Sequence, residues 1–127
     1  MMSVHPAPSL NGRRVLVVED EFFVADDLVQ AIGQLGAEVL GPVPTREEAL
    51  DLLATAGKID LAVLDINLEG EAVYPVADLL TAQGVPFLFA TGYSRALVPA
   101  QYQHVPRWEK PFNPQTLAQA LPNLLQG

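Results

Sequence analysis

The chain has 127 residues, of which 50% are hydrophobic, and its 7 Lys and Arg against 15 Asp and Glu give a net charge of −8. This length fits one globular domain and leaves no room for a second. The acidic balance argues against nucleic-acid binding, which needs a basic surface. The absence of Cys excludes disulfide and thiolate chemistry and fits a cytoplasmic location. No apolar run approaches the roughly 18 residues of a membrane span.

Residues 1–12 include two prolines and lack the features of a secretion signal. They are predicted to form a flexible leader before a folded domain over residues 13–127. The run 15–18 is continuously apolar and β-branched, which is typical of a strand buried on both faces. It ends in the acids Glu19, Asp20 and Glu21.

Apolar spacing predicts the first helix over 22–35, with Phe22 on its buried face and Gly36 as its stop. A weaker strand over 38–43 belongs near the sheet edge because Gly41 and Pro42 interrupt it. Thr45 and Glu48 match the capping box that begins a second helix. The apolar run 61–64 is a third strand, and it ends abruptly at Asp65.

The second half of the chain continues the alternation of strands and helices. A loop over 66–70 precedes a helix over 75–83 and a strand over 85–91. Pro99 limits any helix between 92 and 106 to about two turns. A short strand over 107–109 precedes a last helix that Asn113 caps and that Pro122 ends or bends.

Strict alternation of strands and helices predicts an α/β fold with a doubly wound, five-stranded parallel sheet. Ligands bind such sheets at the carboxyl ends of the strands. Five polar or charged residues stand at those ends: Glu19, Asp20, Asp65, Thr91 and Lys110. The strand ends are therefore the predicted functional site.

Carboxylates that converge on one point repel one another unless a cation intervenes, so Glu19, Asp20 and Asp65 indicate Mg²⁺. Thr91 offers a hydroxyl and Lys110 a positive charge, both suited to the oxygens of a phosphoryl group. Asp65 is then the candidate nucleophile, which would form an aspartyl phosphate.

The ordered set of motifs resembles the receiver domain of two-component response regulators, the fold of the chemotaxis regulator family. It consists of the acidic pair after the first strand, Leu64-Asp65-Ile66-Asn67-Leu68, Ala90-Thr91-Gly92 and Lys110-Pro111-Phe112. The match runs from about residue 13 to about residue 125. It implies a flavodoxin-like sheet with strand order 2-1-3-4-5 and a short or irregular fourth helix.

The resemblance also implies a role for each residue. Asp65 is the phosphoryl acceptor, Thr91 the switch hydroxyl and Lys110 the phosphate-pairing lysine, with a cis bond to Pro111. Mg²⁺, with Mn²⁺ as an alternative, is bound by Asp65, by Asp20 directly, by Glu19 through water and by the backbone carbonyl of Asn67.

The run Phe89-Ala90-Thr91-Gly92-Tyr93 resembles the FATGUY subgroup, which is often found as stand-alone receivers of alphaproteobacteria. One position departs from the usual receiver pattern. Arg107 stands where most receivers have the switch aromatic, with Trp108 beside it. We therefore expect Tyr93 or Trp108 to report phosphorylation in its place.

These features together predict a single-domain response regulator that is not an enzyme and acts through protein contact. The phosphodonor is a histidine kinase or histidine phosphotransfer protein, and the state is a monomer or a weak phosphorylation-dependent dimer. One alternative is a pseudo-receiver that works as an unphosphorylated interaction module. A phosphatase of the haloacid dehalogenase type is disfavoured because Asn67 stands where that family needs a second Asp.

Overall fold

The computed structural model describes residues 9–92 and 98–126. Five parallel strands form the main sheet in the order β2-β1-β3-β6-β7, which confirms the predicted order 2-1-3-4-5. These strands are β1 Arg14–Val18, β2 Glu38–Val43, β3 Leu61–Leu64, β6 Phe87–Thr91 and β7 Arg107–Glu109. Two more short strands, β4 Asn67–Leu68 and β5 Glu71–Ala72, form a separate antiparallel hairpin.

Helices cover both faces of this sheet. They are α1 Phe22–Gln34, α2 Arg46–Thr55, α3 Tyr74–Ala82 and α4 Pro114–Ala120, with 3₁₀ helices at Ala100–Tyr102 and Leu121–Gln126. Alternate residues of the strands pack into two cores, one beneath α2 and α3 and one beneath α1 and α4. All four residues of β3 are therefore buried, as expected for a strand covered on both faces.

The predicted helix caps and the predicted end of the last helix are present in the structure. The Thr45 hydroxyl accepts from the backbone N–H of Glu48 at 3.1 Å and donates to its carboxylate at 3.0 Å. Asn113 caps α4 by accepting from the N–H of Thr116 at 3.1 Å. The α4 helix changes to 3₁₀ geometry at Leu121, just before Pro122, which confirms the predicted interruption.

The folded part of the chain reaches into the range 1–12 that was predicted as a leader. Leu10 is 0% exposed within the core beneath α1 and α4, and its N–H donates to the carbonyl of Leu35 at 2.8 Å. Residues 1–8 of the predicted leader lie outside the described residues. Among the described residues, the core thus includes Leu10, which precedes the predicted start of the domain at residue 13.

Two other predictions need correction. Residues 66–70 are not simply a loop, because β4 and β5 pair across a two-residue turn at Glu69 and Gly70, with φ of 52° and 89°. Phe22 is not a core residue: it is 73% exposed and Phe23 is 80% exposed. Phe22 lies in the first turn of α1, where the sheet has already ended, so burial begins only at Ala25.

Between residues 98 and 106, the predicted short fourth helix is a single 3₁₀ turn at Ala100–Tyr102. Residues 93–97 of the predicted range lie outside the described residues. None of the helices in the described ranges is long and apolar enough to cross a membrane.

Candidate functional site

Three carboxylates meet at the carboxyl ends of β1 and β3. Glu19, Asp20 and Asp65 each place one oxygen within 4.8 Å of the others. Glu19 is 3% exposed and Asp65 is 4% exposed. Backbone hydrogen bonds hold both residues in place, because the N–H of Asp65 donates to Val18 at 2.8 Å and that of Glu19 donates to Val43 at 3.0 Å. The sheet therefore fixes an acidic cluster at its edge.

Lys110 lies among these acids. Its Nζ donates to Oε2 of Glu19 and to Oδ2 of Asp65, both at 3.0 Å, and lies 3.4 Å from Oε1 of Glu21. Burial disfavours the ammonium, but the hydrogen bonds to Asp65 and Glu19 outweigh it and raise the pKa of Lys110. The Lys110 ammonium thus lies within ion-pair distance of three carboxylates, those of Glu19, Glu21 and Asp65. The Lys110–Pro111 bond is cis, as the resemblance implies.

Glu19 is the most perturbed acid of the cluster. Burial, followed by the proximity of the Asp65 carboxyl, raises the pKa of Glu19 to about 8. Its Oε1 is buried and has no hydrogen-bond partner among the described residues. Within the described part of the chain, the cluster has more carboxylates than cations and an unpaired carboxylate oxygen at Glu19, and oxygen ligands of this kind suit a hard divalent cation.

The β4–β5 hairpin closes one side of the cluster. The N–H of Glu69 donates to Oδ2 of Asp20 at 3.0 Å, and the N–H of Asn67 donates to Oδ1 of Asp65 at 3.3 Å. The Asn67 side chain accepts from the N–H of Gly70 at 3.1 Å. The hairpin thus contacts two of the three acids directly.

The other predicted site residues line one open pocket with this cluster. Thr91 is buried at the end of β6, and the pocket is bordered by Asp20, Asp65, Asn67, Thr91 and Lys110. The structure therefore brings together every residue predicted for phosphoryl or metal binding. The role of each residue remains a prediction.

The predicted output residues lie elsewhere. Arg107 borders a depression formed with Phe89 and Tyr102, and its Nη2 is 3.5 Å from the carboxylate of Glu109. Trp108 packs on the opposite face of the sheet, against the core beneath α1 and α4. Tyr93 lies outside the described residues. Arg107 and Trp108 therefore point to opposite faces and do not form one surface.

Several residues of this region were missed or misread in the sequence. Glu21, which was not among the predicted site residues, is an ion-pair partner of Lys110. Tyr102 is buried and stacks on Tyr74 with ring centroids 5.7 Å apart and an interplanar angle of 8°. Phe22 and Phe23 form an exposed edge-to-face pair with centroids 5.4 Å apart, next to the pocket residue Glu21.

Comparison with known proteins places this site in a family. No protein-family model matches the chain. The solution structure of SdrG from Sphingomonas melonis Fr1 is 39% identical, covers 89% of this chain and 96% of SdrG, and superposes with a TM-score of 0.77. The response regulator TrrA from Thermotoga maritima, solved in complex with Mg²⁺-BeF, is 26% identical over 89% of this chain and 99% of TrrA, with a TM-score of 0.73.

Among curated proteins, the phyllosphere-induced regulator PhyR of Methylorubrum extorquens is 31% identical over 87% of this chain and 43% of PhyR. The chain spans about half or less of the length of the curated relatives that it matches, between 40% and 52%. Its fold, its arrangement of strand-end residues and these similarities agree. The chain belongs to the response regulator receiver domains of two-component signalling.

Proposed function

We propose that this chain is a receiver of the FATGUY type, which accepts a phosphoryl group on Asp65 and signals by protein contact rather than by catalysis. The observation that carries this proposal is the ion pair of Lys110 with Asp65 at 3.0 Å, in a pocket that Asp20 also lines and beside the buried carboxylate of Glu19. A buried carboxylate at a strand end, next to a fixed cation and open to solvent on one side, is suited to attack an incoming phosphoryl group.

Mg²⁺, or Mn²⁺ in its place, is the cofactor that the donor set fits. Glu19, Asp20, Asp65 and the backbone carbonyl of Asn67 would hold it. When bound, the cation supplies charge neutralisation for the phosphoryl oxygens. The free buried Oε1 of Glu19 supports this assignment from within the chain, and the Mg²⁺-BeF complex of TrrA supports it from a similar protein.

The phosphodonor is a phosphohistidine on a histidine kinase or phosphotransfer protein. A carboxylate oxygen of Asp65 forms the new O–P bond as the P–N bond of the donor breaks, and the departing imidazole nitrogen takes up a proton. Lys110 donates to the transferred group, and the Thr91 hydroxyl, buried at the end of β6, is a second donor lining the same pocket. Phosphoryl transfer to Asp65 thus relies on positioned charges and hydrogen-bond donors.

The output begins with the change of charge at Asp65. The phosphoryl group competes with the carboxylates for Lys110 and draws the Thr91 hydroxyl toward itself. This movement shifts β6, the segment that carries Tyr102, and Arg107 at the start of β7. A downstream protein reads the surface built from this segment, β7 and the last helix. The aromatic that reports the change is Tyr93 or Trp108 in this proposal.

Intact-mass measurement after incubation with a small phosphodonor and Mg²⁺ tests the acceptor. Wild-type protein and the matched control Asp51→Asn, an exposed acid on α2, should each gain one phosphoryl group, whereas Asp65→Asn should gain none. An adduct that persists in Asp65→Asn would refute the assignment of Asp65. Absence of an adduct from every donor, protein donors included, would favour the unphosphorylated interaction module.

A further inference from the structure

The outer strand of the β4–β5 hairpin is joined to α2 by the side chain of Arg46. Arg46, the first residue of α2, donates from Nη1 to the carbonyl of Ala72 at 3.3 Å and from Nη2 to the carboxylate of Glu71 at 3.1 Å. A single guanidinium thus bridges both residues of β5. Its planar fork matches these two acceptors, which a lysine ammonium cannot do.

The hairpin depends on such contacts with the rest of the fold because it has little stability of its own. Each of its strands has two residues, and an isolated two-stranded ribbon is marginal in water. Its turn also holds Glu69, which is not glycine, at a left-handed φ of 52°. Leu68 anchors the inner strand in the core, but Glu71 on the outer strand is exposed. Arg46 therefore adds a side-chain anchor for β5 to the one that the buried Val73 supplies directly after it.

The same hairpin contacts the acidic cluster, both at Asn67, which pairs with Ala72, and at its turn. The N–H of Glu69 is bonded to Asp20, the N–H of Asn67 is bonded to Asp65, and the Asn67 carbonyl is a proposed metal ligand. Displacement of β5 would therefore be transmitted through its pairing with β4 to the Asn67 carbonyl and Asp65, and through the turn to Asp20. Contacts that orient metal ligands in this way affect affinity without touching the ion.

We propose that Arg46 is a positioning residue for the metal site: by clamping β5 to the start of α2, it sets the Asn67 carbonyl and the Glu69 amide relative to Asp20. This proposal rests on the proposed function, since it takes the acidic cluster to be a Mg²⁺ site. It predicts that Mg²⁺ affinity depends on a side chain that is one third exposed and contributes no ligand atom.

The test is a Mg²⁺ titration of the unphosphorylated protein followed by amide chemical shifts, on wild type, Arg46→Ala, Arg46→Lys and Arg14→Ala. Arg14 is a matched control because its guanidinium also joins a backbone carbonyl, that of Lys58 at 2.7 Å, and a carboxylate, that of Glu38 at 3.5 Å. These contacts lie at the start of β1, the opposite end of the strand from the site. Arg46→Ala should weaken Mg²⁺ binding about tenfold, the low end for outer-shell contacts, and Arg14→Ala should leave it unchanged.

A kinetic readout separates positioning from general loss of structure. With a small phosphodonor, Arg46→Ala should raise the Mg²⁺ concentration for half-maximal rate about tenfold while the rate at saturating Mg²⁺ stays within about twofold. Equal Mg²⁺ affinity in Arg46→Ala and wild type would overturn the proposal, as would full recovery of affinity in Arg46→Lys. A wild-type protein that binds no Mg²⁺ would instead refute the proposed metal site itself.

Discussion

Replacing Glu19 by Gln should stabilise the metal-free protein, and more so as pH rises. The pKa of Glu19 is raised from 4.5 to about 8 in the folded state, so folding favours the protonated acid. The stability contributed by that proton is complete below about pH 4.5 and is lost as pH rises toward 8. The upper bound is about 5 kcal/mol, since each pKa unit corresponds to about 1.4 kcal/mol. Relaxation of the site reduces the expected gain to about 2 to 4 kcal/mol at pH 8.5, since the raised pKa already includes the pairing with Lys110.

Urea denaturation with a chelator present, at intervals from pH 5 to pH 8.5, measures this effect. The difference in free energy of unfolding between Glu19→Gln and wild type should grow steadily across the range, because the amide cannot ionise. Asp51→Asn, which removes an exposed carboxylate from α2, should stay within about 0.5 kcal/mol of wild type throughout. A difference for Glu19→Gln that is the same at pH 5 and pH 8.5 would refute the reasoning that a buried charge destabilises this site.

Two further predictions concern the rim of the pocket. Replacing Phe22 and Phe23 together by Ser should slow phosphotransfer from a protein donor about tenfold or more, since large exposed aromatics often anchor interfaces. Phosphorylation by a small donor, measured by intact mass, should be unchanged. Equal slowing with both donors would contradict a role of this aromatic pair in docking the protein donor. Glu69→Asn should raise the free energy of unfolding by about 0.5 to 1 kcal/mol in urea titrations, because Asn accepts the left-handed φ of 52° more readily. Gly70→Ala at φ 89° is the opposing control and should lower it, so a loss in both variants would argue against backbone strain at Glu69.

The acidic cluster could be predicted from sequence because each member directly follows a strand that is itself unmistakable. Continuous apolar runs place the strands, parallel strands share one carboxyl edge, and Glu19 and Asp65 therefore meet whatever the details of the helices. Lys110 joins them for the same reason, at the end of β7. This part of the site depends only on the topology of the sheet.

The features that sequence reasoning missed depend on particular contacts. The β4–β5 hairpin has strands too short for any periodic pattern, and the left-handed turn residue Glu69 gives no composition signal. Phe22 fits the helical period of α1, but periodicity does not show where the sheet beneath it ends. Leu10 is a single apolar residue near prolines, so its burial could not be read from its neighbours. The tie between Arg46 and β5 spans more than twenty residues and has no local signature.

The two edges of the sheet limit how this receiver can associate with other proteins. On one edge, β2 contains Pro42, which lacks an N–H, and its pairing with β1 changes register between Leu16 and Val18. On the other edge, β7 has three residues and is followed closely by Pro111. Neither edge offers a straight row of free backbone groups to template an added strand. Partner binding and self-association should therefore proceed through side chains on helices and loops, which leaves the hydrogen bonds of the sheet unchanged between the free and bound states.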